Sequence, residues 1–231
     1  MTLKTGEIVL NRVAKGFRAY HSHSAKDLAI RLLRRQSLTD RRVVLRDITL
    51  HVSPGERLGI VGRNGSGKST LFRLISGILE PDAGEILVGG RVSPVIEVTT
   101  GLVLDLNGAE NIRLNALLLG LTRVELDRRF DEIVAFAELG EFLETPVRYY
   151  SSGMQARLGF SVASHVDAPI LLVDEALAVG DAAFQQRCLD RVNALSNSGT
   201  TVLFVGHDRK LTDAFCQRVV AIEDGVCVDA D

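Results

Sequence analysis

One short stretch limits the fold of this 231-residue chain more than any other: Gly62-Arg63-Asn64-Gly65-Ser66-Gly67-Lys68-Ser69-Thr70. It fits the pattern G-x-x-x-x-G-K-[ST]. Glycines let the backbone wrap closely, so that successive N–H groups point at phosphate oxygens. The helix that follows adds its positive N-terminal end. In such a loop Lys68 reaches the β and γ phosphates and Ser69 holds Mg²⁺. The loop stands between the apolar run Arg57–Val61 and a helix expected over 68–78. Strand, glycine loop and helix open an α/β nucleotide-binding unit.

The rest of the pattern agrees with an α/β core. Residues 7–13, 43–52 and 85–88 read as strands. Ile170–Val173 and Thr201–Val205 are fully apolar, the buried-strand type, with a further strand at 219–222 and a helix at 183–195. Between 102 and 165 the pattern turns helical, with Leu114, Leu117, Leu118 and Leu121 as one stripe and Leu126, Ile133, Val134 and Phe136 in another. The expected division is an α/β core over 1–94 and 166–231, with a helical subdomain inserted at 95–165. No run of 18 apolar residues is present, so the chain is not expected to span a membrane. Residues 1–10 lack the pattern of a secretory signal. Three cysteines, Cys188, Cys216 and Cys227, suit a reducing compartment. A cytoplasmic chain is expected.

Two more groups of residues carry chemistry. Asp174-Glu175 follows directly on the apolar run Ile170–Val173, and the carboxyl edge of a parallel sheet is where α/β folds place ligands. There Asp174 orients Mg²⁺ through water, and Glu175 polarises an attacking water as general base. His207 follows a buried strand and Gly206. It reads either as a structural histidine or as a residue at the γ-phosphate. Tyr149-Tyr150-Ser151-Ser152-Gly153-Met154-Gln155 precedes a helical run. Its hydroxyls, glycine and helix start read either as an ordinary cap or as a second anion site offered to another molecule's nucleotide.

Net charge is −2, but residues 1–46 carry 11 Lys/Arg against 3 Asp/Glu. Within them a basic amphipathic helix is expected over 24–36, with Ala25, Leu28, Ala29, Leu32 and Leu33 on one side and Lys26, Arg31, Arg34 and Arg35 on the rest. Such a stretch faces phosphates, in lipid headgroups or nucleic acid, or is a solvated face.

The motifs and their order resemble the nucleotide-binding domain of ABC transporters over nearly the whole chain. Gly62–Thr70 is similar to the Walker A motif, and Ser151-Ser152-Gly153-Met154-Gln155 to the signature motif, with Ser152 and Met154 in place of a usual Gly and Gln. Residues 170–175 are similar to Walker B with the catalytic glutamate. Ala178-Val179-Gly180-Asp181 falls where the D-loop would be, His207 takes the switch histidine's place, and Phe17 falls near the adenine-stacking aromatic, with Tyr20 as an alternative. The resemblance implies a P-loop NTPase (RecA-like) core, an ATPase using ATP and Mg²⁺, and a homodimer facing head to tail. Each ATP would lie between the phosphate loop of one copy and Ser151, Ser152 and Gly153 of the other.

The wording of the motifs narrows this further. Residues 149–154, residues 174–181 and Gly108-Ala109-Glu110-Asn111-Ile112 resemble the exporters of capsule, O-antigen and teichoic-acid polymers. The implied partner is a separate transmembrane permease at the cytoplasmic face of the inner membrane, with no nucleic acid. An ABC ATPase for another substrate, lipid or drug, is the alternative; a soluble ABC ATPase on ribosome or DNA is a further one. The family's glutamine between core and helical subdomain has no counterpart here, since no Gln lies between Gly77 and Met154. Glu97 stands nearest. No appended sugar-binding domain is expected.

Overall fold

Three of the apolar runs lie side by side in the middle of one sheet, and this fixes where the chemistry must sit. The computed structural model describes residues 3–19, 40–95, 99, 101–174, 181–206 and 209–229. In chain order the strands are β1 (Ile8–Ala19), β2 (Asp40–Val52), β3 (Arg57–Val61), β4 (Ala83–Val88), β5 (Val92–Val95), β6 (Ile170–Val173), β7 (Thr201–Val205), β8 (Arg218–Glu223) and β9 (Val226–Asp229). The helices are α1 (Lys68–Ile75), α2 (Gly108–Leu118), α3 (Arg123–Ala137), α4 (Ser152–Ser164), α5 (Ala182–Asn197) and α6 (Arg209–Phe215).

The sheet order is β4-β1-β2-β9-β8-β3-β7-β6-β5. Strands β8, β3, β7, β6 and β5 are parallel to one another. Register pairs Ile60 with Val205 and Val173 with Phe204. The carboxyl ends of β3, β7 and β6 therefore share one edge, and the next residues in the chain are Gly62, Gly206 and Asp174. That edge is where an open parallel sheet binds ligands. β1, β2 and β4 form an antiparallel group on the other side, joined to the parallel strands through β9, which pairs with β2 at Asp47–Val226 and runs antiparallel to β8.

Several boundaries differ from the sequence expectation. β1 runs on to Ala19, past the loose alternation at 7–13, because bulges between Leu10 and Gly16 break the period-two pattern. Arg12 takes φ 52 within this bulged stretch. β5 and β9 are strands that the pattern did not expose: each is four residues long, and Pro94 interrupts the first. Helix α1 stops at Ile75, and Gly77 at φ 73 follows its cap.

The helical layer has its own buried cluster, including Ile112, Ala116, Leu126, Ile133, Leu158 and Val162. The leucine stripe expected here is only partly buried: Leu121 is buried just past α2 and Leu114 half-buried, but Leu117 and Leu118 are exposed, while Asn111, Ile112 and Ala116 are buried. The reason is the capping. Asn107 and Glu110 form a capping box that fixes the helix start. Asn111 then donates from Nδ2 to the carbonyls of Val103, Leu106 and Asn107 and accepts from the Val103 N–H. Asn111 and Ile112 therefore face inward with Ala116 one turn on, Leu117 falls on the other side, and Leu118 is exposed as the last residue of the helix. α3 is started by a second capping box, Thr122 with Glu125.

A third cluster joins the helical layer to the sheet. Phe136, Phe160 and Phe184 meet with ring centroids 5.8 to 6.1 Å apart, above Val173, Val202 and Phe204. Aromatic contacts of this kind add about 1 kcal/mol each beyond area burial.

Candidate functional site

The phosphate loop folds as its composition requires. Gly67 is the N-cap of α1 and takes φ 112; a Cβ there would lie 2.6 Å from Leu45 Cδ2. Gly62 takes φ 149, and its Cβ would lie 2.7 Å from the Ile222 carbonyl. Both positions exclude a side chain on conformation and on space. Lys68 is buried, and its Nζ donates to the carbonyls of Gly62 (2.8 Å) and Arg63 (3.2 Å). Burial pushes the Lys68 ammonium below its usual range, and the Asp174 carboxylate acts against that. Ser66 Oγ is buried without a hydrogen-bond partner among the described residues, a polar atom at the base of the loop. Arg63, Asn64, Gly65 and Ser69 are exposed, with Thr70 half-buried behind them.

A cavity of about 390 Å³ opens over this loop, lined by Gly65, Gly67, Lys68, Ser69 and Thr70 together with Phe17, Val44 and Arg42. Phe17 is 39% exposed, so part of its side chain is open to a ligand in the cavity. Volume and lining suit a small-molecule site with one apolar end and one polar end. Ser69 Oγ and the half-buried Asp174 are hard oxygen donors, the type that Mg²⁺ takes, and Lys68 already interacts with Asp174. The described residues therefore fit a nucleotide with its Mg²⁺.

A second cavity, of about 540 Å³, lies at the start of α4 and is lined by Ser151, Ser152, Gly153, Met154, Arg157 and Asp181 among others. Ser151 caps α4, its Oγ accepting from Met154 N–H at 3.2 Å. Tyr150 holds the turn from behind: its hydroxyl donates to the Phe142 carbonyl at 2.7 Å. Gly108 leaves room for it, since a Cβ there would lie 2.4 Å from that hydroxyl. The two cavities share no lining residue.

Sequence reading missed Arg157. Its guanidinium pairs with Asp181 and with Glu138 and lies 5.0 Å from the Phe184 ring centroid. Arg187 pairs with Glu138 from the other side. Asp181 is also the N-cap of α5, accepting from Phe184 N–H. The backbone N–H of Phe184, together with Arg157, holds the Asp181 carboxyl below its usual range. Arg157 thus ties the start of the signature-like helix to the first residue after segment 175–180. Its partners lie 19 and 24 residues away, so no local pattern points to it. Because the carboxylates are more than half exposed, the ion pairs add little stability. Arg157→Ala should lower the melting temperature by only about 2–4 °C. Calorimetric melts would check this, and a much larger drop would show that the pairs hold more than their exposure suggests.

Glu175, His207, Tyr20, Glu97, the segment 178–180 and the basic stretch 24–36 lie outside the described residues. Asp174 is described, half-buried, with its N–H donating to the Val95 carbonyl.

Comparison with known proteins places the chain. The ABC transporter family model matches residues 45–178. The chain is 42% identical over 221 residues to the O-antigen export system ATP-binding protein of Klebsiella pneumoniae, covering 94% of this chain and 90% of that protein. It is 49% identical over 181 residues to the teichoic acids export ATP-binding protein of Levilactobacillus brevis, covering 78% of this chain and 50% of that protein. One solved structure, a dimeric ATP-binding cassette in a post-hydrolysis state with ADP and Pi, shares the fold with a TM-score of 0.77 at 21% identity, over 96% of this chain and 98% of that one. The chain belongs to the ABC transporter family.

Proposed function

We propose that this chain is the ATP-hydrolysing subunit of an exporter of lipid-linked polysaccharide, of capsule, O-antigen or teichoic-acid type. It works as a homodimer beneath a separate permease on the cytoplasmic face of the membrane. The observation that carries the ATPase part is the cavity that joins Phe17 to Lys68 and Ser69 over a glycine loop. The substrate class is supported by relatives named for O-antigen and teichoic acid export at 42% and 49% identity. Among the described residues no helix is long and apolar enough to cross a membrane.

In this reading Gly62–Thr70 bind the phosphates and Phe17 stacks on the adenine. Ser69 and Asp174 hold Mg²⁺, which when bound neutralises charge on the β and γ phosphates. Glu175 takes the proton of the attacking water, and His207 fixes the γ-phosphate end. Ser151, Ser152 and Gly153 close on the nucleotide held by the other copy. Two half-sites with no lining residue in common favour that arrangement, and a two-fold dimer completes both at once. The α/β portions 1–94 and 166–231 carry the hydrolytic groups, and 95–165 forms the arm that brings the signature turn to the partner.

The test is co-purification. The tagged chain is expressed in its native host, membranes are solubilised gently, and what accompanies it is identified by mass spectrometry. A multi-spanning permease with bound glycolipid is expected. A permease accompanied by a different class of lipid or drug would replace the substrate. Ribosomal proteins or DNA without a permease would overturn the transport reading.

A further inference from the structure

The cavity over the phosphate loop contains a cation that none of the motifs includes. Arg42 is the cross-strand partner of Phe17 in the β1–β2 ladder, and both side chains line that cavity. Residues directly opposed in an antiparallel pair keep their Cβ atoms about 5 Å apart on one face. Ring and guanidinium therefore serve the same volume. Lys15 also stands near Phe17, 5.9 Å from the ring centroid. That ammonium is engaged, donating to the Glu80 carbonyl at 2.6 Å and to Asp82 Oδ1 at 3.2 Å. Arg42 is exposed and has no carboxylate partner among the described residues.

Charge balance gives this cation a task. Lys68 is the cation at the loop end of the cavity, and Asp174 lies near enough to act on it, so one ammonium does not by itself balance a phosphate chain. Backbone N–H groups of the loop add to its attraction. A nucleotide's phosphate chain brings several negative charges, and a guanidinium is a planar fork that matches phosphate oxygens two at a time. We propose that Arg42 binds the base-proximal phosphates of the nucleotide, bridging the stacked base on Phe17 and the loop at Gly65 to Thr70. This rests on the ATP-site reading above. It assigns to Arg42 a share of affinity that is independent of the base.

The test is calorimetric titration with MgADP and with MgGDP, which avoids turnover, on the unsubstituted chain and on Arg42→Ala, Arg42→Lys and Phe17→Ala. Arg42→Ala should weaken both nucleotides by about tenfold and leave their affinity ratio unchanged. Arg42→Lys should recover only the part of the loss owed to charge, because an ammonium lacks the fork, and thermal melts of the Arg42 variants should match the parent. Phe17→Ala should weaken binding without removing the effect of Arg42. Arg42→Ala within twofold of the parent, or a loss confined to one base, would overturn the assignment while the ATP site stood. Failure of the unsubstituted chain to bind either nucleotide would remove the ATP-site reading, and this one with it.

Discussion

Lys68→Ala is expected to lower ATP turnover by at least about a hundredfold and to weaken nucleotide binding about tenfold or more. The magnitude follows from where the ammonium sits. It is buried at the mouth of the loop, within reach of two loop carbonyls and opposed by Asp174. In that position it contributes charge where phosphate charge must be held, with little solvent to screen it. Truncation removes the cation and leaves Asp174 repelling the phosphates. Lys68→Arg should fail as well, because a fork cannot replace a compact ammonium in a pocket closed by Gly62 and Gly67. Steady-state phosphate release and nucleotide titration measure both effects, with circular dichroism as the folding control. Normal turnover by Lys68→Ala would end the phosphate-loop reading.

The parts of this site that were legible in the sequence are those whose chemistry is local. Gly62 to Thr70 are consecutive, and the φ of Gly67 and the packing of Gly62 explain the glycines without reference to the rest of the fold. Asp174 was legible because the four residues before it are uniformly apolar and fully buried. Other features arise only when distant segments meet. Arg42 reaches the cavity through a ladder whose strands are separated by residues 20–39. Arg157 finds Glu138 and Asp181 through the packing of three helices around Phe184. The exposure of Leu117 in the expected leucine stripe is of the same kind: hydrophobic spacing alone could not show that Asn111 turns inward to satisfy a loop with four hydrogen bonds. The short strands β5 and β9 were lost because four residues are too few to establish a period.

Glu175→Gln should separate binding from hydrolysis. Replacing carboxylate by amide keeps size and hydrogen-bonding reach but removes the proton acceptor, and a general base is worth about 10²–10⁴ in rate. Turnover should fall by at least about a hundredfold while MgATP still binds. The consequence for assembly is the sharper part. ATP can favour the closed dimer only through contacts that the open chain does not make. In the proposed dimer the two cavities, which share no lining residue, would supply them, one from each copy, at two symmetric sites. With hydrolysis blocked, nothing reopens the pair. The variant should therefore elute as a dimer in MgATP and as a monomer in MgADP. Adding Arg157→Ala should weaken that dimer, because the turn at Ser151 to Gly153 is then no longer tied to Asp181. Unimpaired turnover would remove Glu175 from the role of base. Lost turnover with a chain that stays monomeric at saturating MgATP would keep the base and refute the shared site, and the cavity at Ser151 would then be an ordinary helix cap.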